Sequence, residues 1–243
     1  NSETNELKLI ESQFRRMFVP KSGWAYVCAD YSQMELRVMA HFSRDPFLLN
    51  AYNKDQDIHQ LTASEIFGVK SSEVSAEQRS IAKTINFGII YGMGEFGLSS
   101  RTGLSRSDAS EFIETYYQQY PGIKQWQDQT LEHTRKNGYA ETLLGRRRYL
   151  PDILHRNFQV RTATEREAIN MPIQGTAADI IKVAMIRLHT ELQEKKLSSK
   201  MVLQVHDELI YECPENEVEI IKEMLGRIMP SSLNLAVPLK VDL

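Results

Sequence analysis

Two acids lie where two strands must meet. In Val205-His206-Asp207-Glu208-Leu209, residues 201–205 (MVLQV) form an apolar, strand-forming run, and residues 209–213 (LIYEC) form another that stops at Pro214. Two short strands joined by His-Asp-Glu make a hairpin with the acids at its tip. Far upstream, the run Trp24-Ala25-Tyr26-Val27-Cys28-Ala29 ends in a third acid, Asp30. Carboxylates presented from separate strand ends suit a two-metal phosphoryl-transfer site, where both must bridge a pair of cations. A charged surface turn would use the same residues, so the hairpin alone does not decide.

A second pattern lies on a helical segment. Arg79, Lys83, Phe87 and Tyr91 are spaced by four. Each four-residue step drifts only about 40°, so the four side chains line one slowly turning stripe about 18 Å long. Its order is cation, cation, aromatic, aromatic. A nucleoside triphosphate has the matching order of phosphates, sugar and base, with Arg79 and Lys83 for the phosphates, Phe87 for the sugar and Tyr91 for the base or template. The plainer alternative is an amphipathic helix with two exposed cations and two core aromatics. Gly88 inside this helix costs about 1 kcal/mol relative to alanine, which suggests a close approach to its backbone. Gly92-Met93-Gly94-Glu95-Phe96-Gly97 matches a dinucleotide fingerprint, but a helix and not a strand precedes it, so these glycines read as the helix stop.

Other polar residues are weaker signals taken singly. Glu35 lies five residues beyond Asp30, near a helix start, where it can pair with Arg37, favour the helix N-terminus or meet a substrate sugar. His59 can contact phosphate, although no other His or Cys stands at metal-ligand spacing. Arg146, Asn170 and Gln174 are polar groups beside helix or strand ends that can read a duplex from its minor groove.

The elements that must position these groups follow from periodicity. Helical spacing covers residues 33–42, 57–67, 76–91, 106–120, 122–137, 162–195 (interrupted near Pro172 and Gly175) and 215–228. Residues 6–19 read as helical or irregular, 139–144 as a strand, and 237–241 as a last strand. Strands at both ends with helices between suggest an α+β fold, a sheet domain carrying a helical subdomain.

The 243 residues are 42% hydrophobic and 25% charged, ordinary for a soluble globular protein. The net charge of −3 excludes a uniformly basic binder, but residues 135–166 carry eight Lys/Arg against three Asp/Glu, a footprint for a polyanion. Cys28 and Cys213 sit in apolar runs and read as buried, reduced thiols of an intracellular protein. No apolar run is long enough to span a membrane.

Together these segments resemble the family A DNA polymerases, the bacterial DNA polymerase I type. Asp30-Tyr31-Ser32-Gln33-Met34-Glu35-Leu36-Arg37 is similar to the family's motif A, Arg79-x3-Lys83-x3-Phe87-x3-Tyr91-Gly92 to its motif B, and Val205-His206-Asp207-Glu208 to its motif C. Residues 145–151 and 170–179 also resemble family segments. The resemblance implies an antiparallel palm sheet with helices packed on it and an inserted helical fingers subdomain. Palm residues would be 1–45 and 151–243, and fingers 46–150. It implies two Mg2+ ions on Asp30 and Asp207, helped by the Tyr31 carbonyl, with Glu208 as an auxiliary acid. Arg79, Lys83 and His59 would hold the triphosphate of a dNTP, with Gln33 close by. Phe87 would pack on the sugar, and Glu35 and Tyr91 would exclude a ribose 2′-hydroxyl. Arg146, Asn170, Gln174 and His206 would contact primer-template DNA. The family's thumb and exonuclease-like domain precede this region and are not in the chain. An idle DNA-binding fragment and a metal-dependent nuclease are the competing functions. The nuclease gives no reason for the stripe from Arg79 to Tyr91.

Overall fold

A computed structural model describes residues 16–243, so most of the expected segment 6–19 lies outside the described residues. The fold is α+β, as expected. Strand β1 (Trp24–Tyr31) alternates strictly, burying Val27, Ala29 and Tyr31 and turning Tyr26, Cys28 and Asp30 outward. The expectation that Cys28 is buried is therefore corrected. An apolar run does not reveal which residues share the open face, and Cys28 shares it with Asp30. Cys213 is buried, as expected.

Strand β5 (Glu208–Pro214) pairs antiparallel with β1 from Trp24↔Pro214 to Asp30↔Glu208. Strands β4 (Lys200–Val205) and β6 (Val241–Asp242) complete a four-stranded sheet in the order β4-β5-β1-β6. The β4–β5 turn consists of His206 and Asp207 alone, with His206 in the left-handed region at φ 54°. Glu208 is thus the first residue of β5 and not part of the tip, because it pairs with both Val205 and Asp30. Strand β6 is shorter than the expected 237–241. Val237 and Leu239 enter the core, and Pro238, which has no N–H for a ladder, gives its carbonyl to Arg37 Nη1 at 2.6 Å.

Helix α1 (Met34–Ser43) is buried almost all round and packs on two long helices, α7 (Pro121–Asn137) and α8 (Phe158–Glu194). Helices α2 (Pro46–Asn53), α3 (Ile58–Phe67), α4 (Ala76–Ile90), α5 (Glu95–Thr102) and α6 (Arg106–Gln119) lie between α1 and α7 in the chain. A small hairpin, β2 (Tyr139–Glu141) with β3 (Arg147–Tyr149), leads to α8, and α9 (Val218–Ile228) packs on β1 and α8. The main hydrophobic core runs from Val27 to Leu239 through the sheet and the helices alike, and a smaller one joins Ala140, Leu150 and Ile153 to Ala168 and Met171 of α8. No helix among the described residues is long and apolar enough to cross a membrane.

Local chemistry accounts for the boundaries. Ser75 and Gln78 form a reciprocal capping box that starts α4. Gly92, at φ 68°, turns the chain out of α4 and bears out the helix-stop reading, whereas Gly94 caps the start of α5 and Gly97 lies inside it. Gly88 admits a close neighbour within the chain, since a Cβ there would lie 3.0 Å from Met93 Sδ. The expected interruption of α8 does not occur. Pro172 lies inside a continuous 37-residue helix, where burial of Met171, Pro172 and Ile173 offsets the cost of about 3 kcal/mol. Gly175 is a packing site and not a breaker, because a Cβ would approach Thr142 Cγ2 to 2.5 Å.

Asp45 ties two helix starts together. Its Oδ1 accepts from the Phe47 and Leu48 amides at 3.0 and 3.2 Å to cap α2, and its Oδ2 accepts from the Gly122 amide at 3.0 Å, at the start of α7. The residue is fully buried. Asp45→Ala should destabilise the protein by about 2–4 kcal/mol, through the lost cap and a buried amide left unsatisfied. Denaturant melts measure this, and an unchanged midpoint would show that the α2–α7 junction does not depend on the carboxylate.

Candidate active site

The sheet brings four carboxylates to one end. Asp30, the last residue but one of β1, lies between its two cross-strand partners, Glu208 of β5 and Asp242 of β6. Asp207 stands on the adjoining turn, where its carbonyl accepts from the Tyr31 amide at 3.3 Å. None of the four has an ion-pair partner among the described residues. Burial, followed by the negative fields of Asp207, Glu208 and Asp242, raises the Asp30 carboxyl above its ordinary value, against the lowering effect of the Tyr31 backbone. An uncompensated acid cluster of this kind favours cations. Among the described residues, no three His, Cys, Asp or Glu side chains are grouped to hold a metal by themselves. Carboxylate oxygens are ligands for hard divalent cations, which can complete their shell with water and substrate phosphates.

An open cleft of ≈ 770 Å³ extends from these acids, with Asp30, Asp207 and Asp242 on one side and His59, Arg79, Lys83 and Phe87 on the other. The cationic wall is made by α3 and α4 packed together. Asp57 organises it. Its Oδ1 caps α3 through the His59 and Gln60 amides at 2.9 and 3.1 Å, while its Oδ2 accepts from Arg79 Nε at 2.9 Å. Burial pushes the Asp57 carboxyl up, but Arg79 and the two amides outweigh it and hold it below the usual value. Lys83 is exposed and has no carboxylate partner among the described residues. His59 is buried beside the Phe87 ring, with centroids 5.8 Å apart. Burial, with Arg79 and Lys83 nearby, lowers its imidazole to about 4 despite Asp57.

Gln33 and Glu35 border the same cleft. Gln33 takes the left-handed conformation at φ 54°, and its Oε1 accepts from Tyr52 OH at 3.1 Å. Under the Tyr52 ring lies Arg37, 4.7 Å from the centroid, whose Nε donates to the Ser32 carbonyl at 2.9 Å. Arg37 thus fastens the turn after β1 to the carbonyl of Pro238, and does not pair with Glu35. The Glu35 carboxylate instead accepts from Tyr91 OH, joining the two residues expected to act together. Burial, then the Glu35 hydrogen bond and charge, raises the Tyr91 hydroxyl well above its ordinary value. Tyr31 sends its side chain into the core, where the hydroxyl donates to the Met229 carbonyl at 2.7 Å, and burial pushes it up to about 12.

Gln174 and His206 also line the cleft, whereas Glu208, Tyr91, Arg146 and Asn170 are not among its lining residues. Arg146 is held by Asp179, which is buried and accepts from Arg146 Nε at 2.8 Å and Thr142 Oγ1 at 2.7 Å. Asn170 Oδ1 is buried with no hydrogen-bond partner among the described residues, one helical turn before Gln174. The basic footprint over residues 135–166 is weaker than its charge count suggests. Arg135, Arg146, Arg147 and Arg148 pair with Glu165, Asp179, Glu141 and Glu167. Two of those acids lie beyond the counted window, so the count missed them.

Residues 4–243 match the family model described as DNA polymerase family A. The chain belongs to DNA polymerase family A. It is 47% identical to DNA polymerase I of Bacillus caldotenax over 244 residues, covering all of this chain and 28% of that protein. It is 50% identical to DNA polymerase I of Chloroflexus aurantiacus over 232 residues, covering 95% of this chain and 24% of that protein. A solved structure of the polymerase domain of Pol1 from M. smegmatis, in complex with DNA primer-template and dNTP, matches with a TM-score of 0.89 and 42% identity. That match covers 93% of this chain and 40% of the other. The chain thus spans about a quarter of the length of these curated family A relatives.

Several residues of this family A site escaped the sequence reading. Asp242 follows the strand candidate that was read as ending at 241, and only the pairing with Asp30 gives it meaning. Arg37 and Tyr52 are buried polar residues on otherwise apolar helices, which is a usable signal. Asp57, two residues before His59, carries the signature of an N-cap. Asp179 gave no sign of holding Arg146, because 33 residues separate them.

Proposed function

We propose that this chain carries the catalytic and nucleotide-binding part of a template-directed DNA polymerase. It would join a dNTP to a primer 3′-hydroxyl and release pyrophosphate inside the cell. The observation that carries this is the cleft itself, in which unpaired carboxylates at the sheet end face His59, Arg79 and Lys83 on the helices. A nuclease needs the acids but not the opposing cations and aromatic ring. We assign residues 1–45 and 151–243 to the palm and 46–150 to the fingers.

Asp30 and Asp207, with the Tyr31 carbonyl, would hold two Mg2+ ions, and Glu208 would add negative charge beside them. When bound, such ions supply a lowered pKa for the attacking hydroxyl and neutralisation of phosphate charge. Lys83, Arg79 and His59 donate to the triphosphate and stabilise charge that moves onto the leaving pyrophosphate. Gln33, held by Tyr52, contacts the nucleotide from the acid side. Phe87 packs on the sugar. Arg146, Asn170, Gln174 and His206 grip the primer-template near its terminus. Primer extension by the complete polymerase, with and without dNTPs, tests the proposal. Elongation only with dNTPs is expected, whereas shortening of the primer without them would favour a nuclease.

Glu35 and Tyr91 together fill the space a ribose 2′-hydroxyl would need. Glu35→Ala should lower the dNTP-over-rNTP ratio of kcat/KM by about tenfold, the scale on which a filled pocket rejects one extra group. A lowered melting temperature with an unchanged ratio would leave Glu35 only a structural role.

A further inference from the structure

Asn86 lies on α4 just before Phe87, fully buried and outside the cleft lining. Its amide nitrogen is 3.0 Å from His59 Nδ1 and 3.1 Å from Thr62 Oγ1. Thr62 Oγ1 is also 2.8 Å from the Ile58 carbonyl and 2.7 Å from Tyr120 OH. With the Thr62 hydroxyl proton on the Ile58 carbonyl, which can only accept, Tyr120 OH and Asn86 both donate to Thr62. The Asn86 carbonyl oxygen, at 3.2 Å, is the more distant competitor for that proton. With its nitrogen so oriented, Asn86 has a second N–H directed at His59 Nδ1.

We propose that Asn86 is a positioning residue that locks His59 in the Nε2–H tautomer, so that the ring presents a fixed donor to the triphosphate in the cleft. A neutral imidazole that accepts at Nδ1 must carry its proton on Nε2, the nitrogen left for the cleft. Asp57 on the His59 helix and Arg79 and Lys83 on the facing helix are the charged groups around the ring. The two cations disfavour a third positive charge there. A neutral donor contacts phosphate without that repulsion, and Thr62 and Tyr120 keep the amide from flipping. The triphosphate rests on the polymerase reading above, but the tautomer does not.

Two measurements on the complete polymerase test this. In histidine-15N-labelled protein, long-range proton–nitrogen correlation, assigned with His59→Gln, should show a bare Nδ1 and a protonated Nε2 at neutral pH. A protonated Nδ1 would overturn the proposal whether or not the protein polymerises. The second measurement uses Asn86→Asp. Its carboxylate accepts from Nδ1–H, so His59 should become titratable in the neutral range. As imidazolium it still donates from Nε2, but once deprotonated it turns a lone pair to the phosphates. The KM for dNTP, relative to the parent, should therefore rise about tenfold between about pH 6 and about pH 8.5. The same substitution in a His59→Gln background should show no such rise. A flat ratio for Asn86→Asp would overturn the proposal. Loss of dNTP-dependent extension by the parent would instead sink the polymerase reading and leave the nitrogen assignments standing.

Discussion

Asp207→Asn should reduce single-turnover nucleotide incorporation by about a thousandfold or more while leaving the fold and primer-template affinity nearly unchanged. Asparagine keeps the shape of the side chain and one of its oxygens but removes the charge. The structural contribution of Asp207 comes from its backbone, since its carbonyl accepts from the Tyr31 amide, and the substitution preserves that bond. The lost charge is one of those that crowd Asp30, so its removal relieves repulsion. The variant should therefore melt no lower than the parent. Asp30→Asn in the same assay tests the other carboxylate. Parent-like incorporation by Asp207→Asn in the complete polymerase would sink the two-cation assignment. A large drop in melting temperature would return Asp207 to a structural role in the turn.

Lys83→Ala should lower kcat/KM for dNTP by about 10- to 150-fold, corresponding to a charge-assisted contact of roughly 1.5–3 kcal/mol. Arg79 and Lys83 face the same cleft, but Arg79 is tethered to Asp57 while Lys83 has no carboxylate partner among the described residues. Lys83 can therefore give its full charge to an incoming phosphate. Little stability should be lost, because the side chain is exposed and satisfies no neighbour. Pre-steady-state incorporation beside a primer-template binding curve separates the possibilities. Lost duplex affinity at an unchanged incorporation rate would make α4 a DNA-binding surface. The orientation assigned to its stripe would then be wrong.

Much of this could be read from the chain because the signals are local. The spacing of four from Arg79 to Tyr91 follows from the helical repeat alone, and Arg79, Lys83 and Phe87 do share one cleft. The apolar runs at 24–29, 201–205 and 209–213 placed Asp30 and Asp207 beside strand ends before any pairing was known. Caps at Asp57 and Ser75 and the stop at Gly92 are equally local, since each depends on backbone groups within a few residues.

Only the tertiary structure decided the rest, and in each case the partner is distant in sequence. Register between β1, β5 and β6 set Glu208 and Asp242 on either side of Asp30, and a shift by one residue would have turned them to the other face. Packing of α3 on α4 brought Asn86 to His59, 27 residues away, and Asp57 to Arg79. Packing of β2–β3 on α8 let a continuous helix run through Pro172 and Gly175, against the local preference of both residues. It also neutralised Arg146 with Asp179. The sequence by itself determined which residues carry charge and roughly where most elements lie, but not every boundary or face, as Cys28, β6 and α8 show. Which faces meet depends on burial summed over the whole chain, and that decided which charges stayed unpaired to act on a substrate.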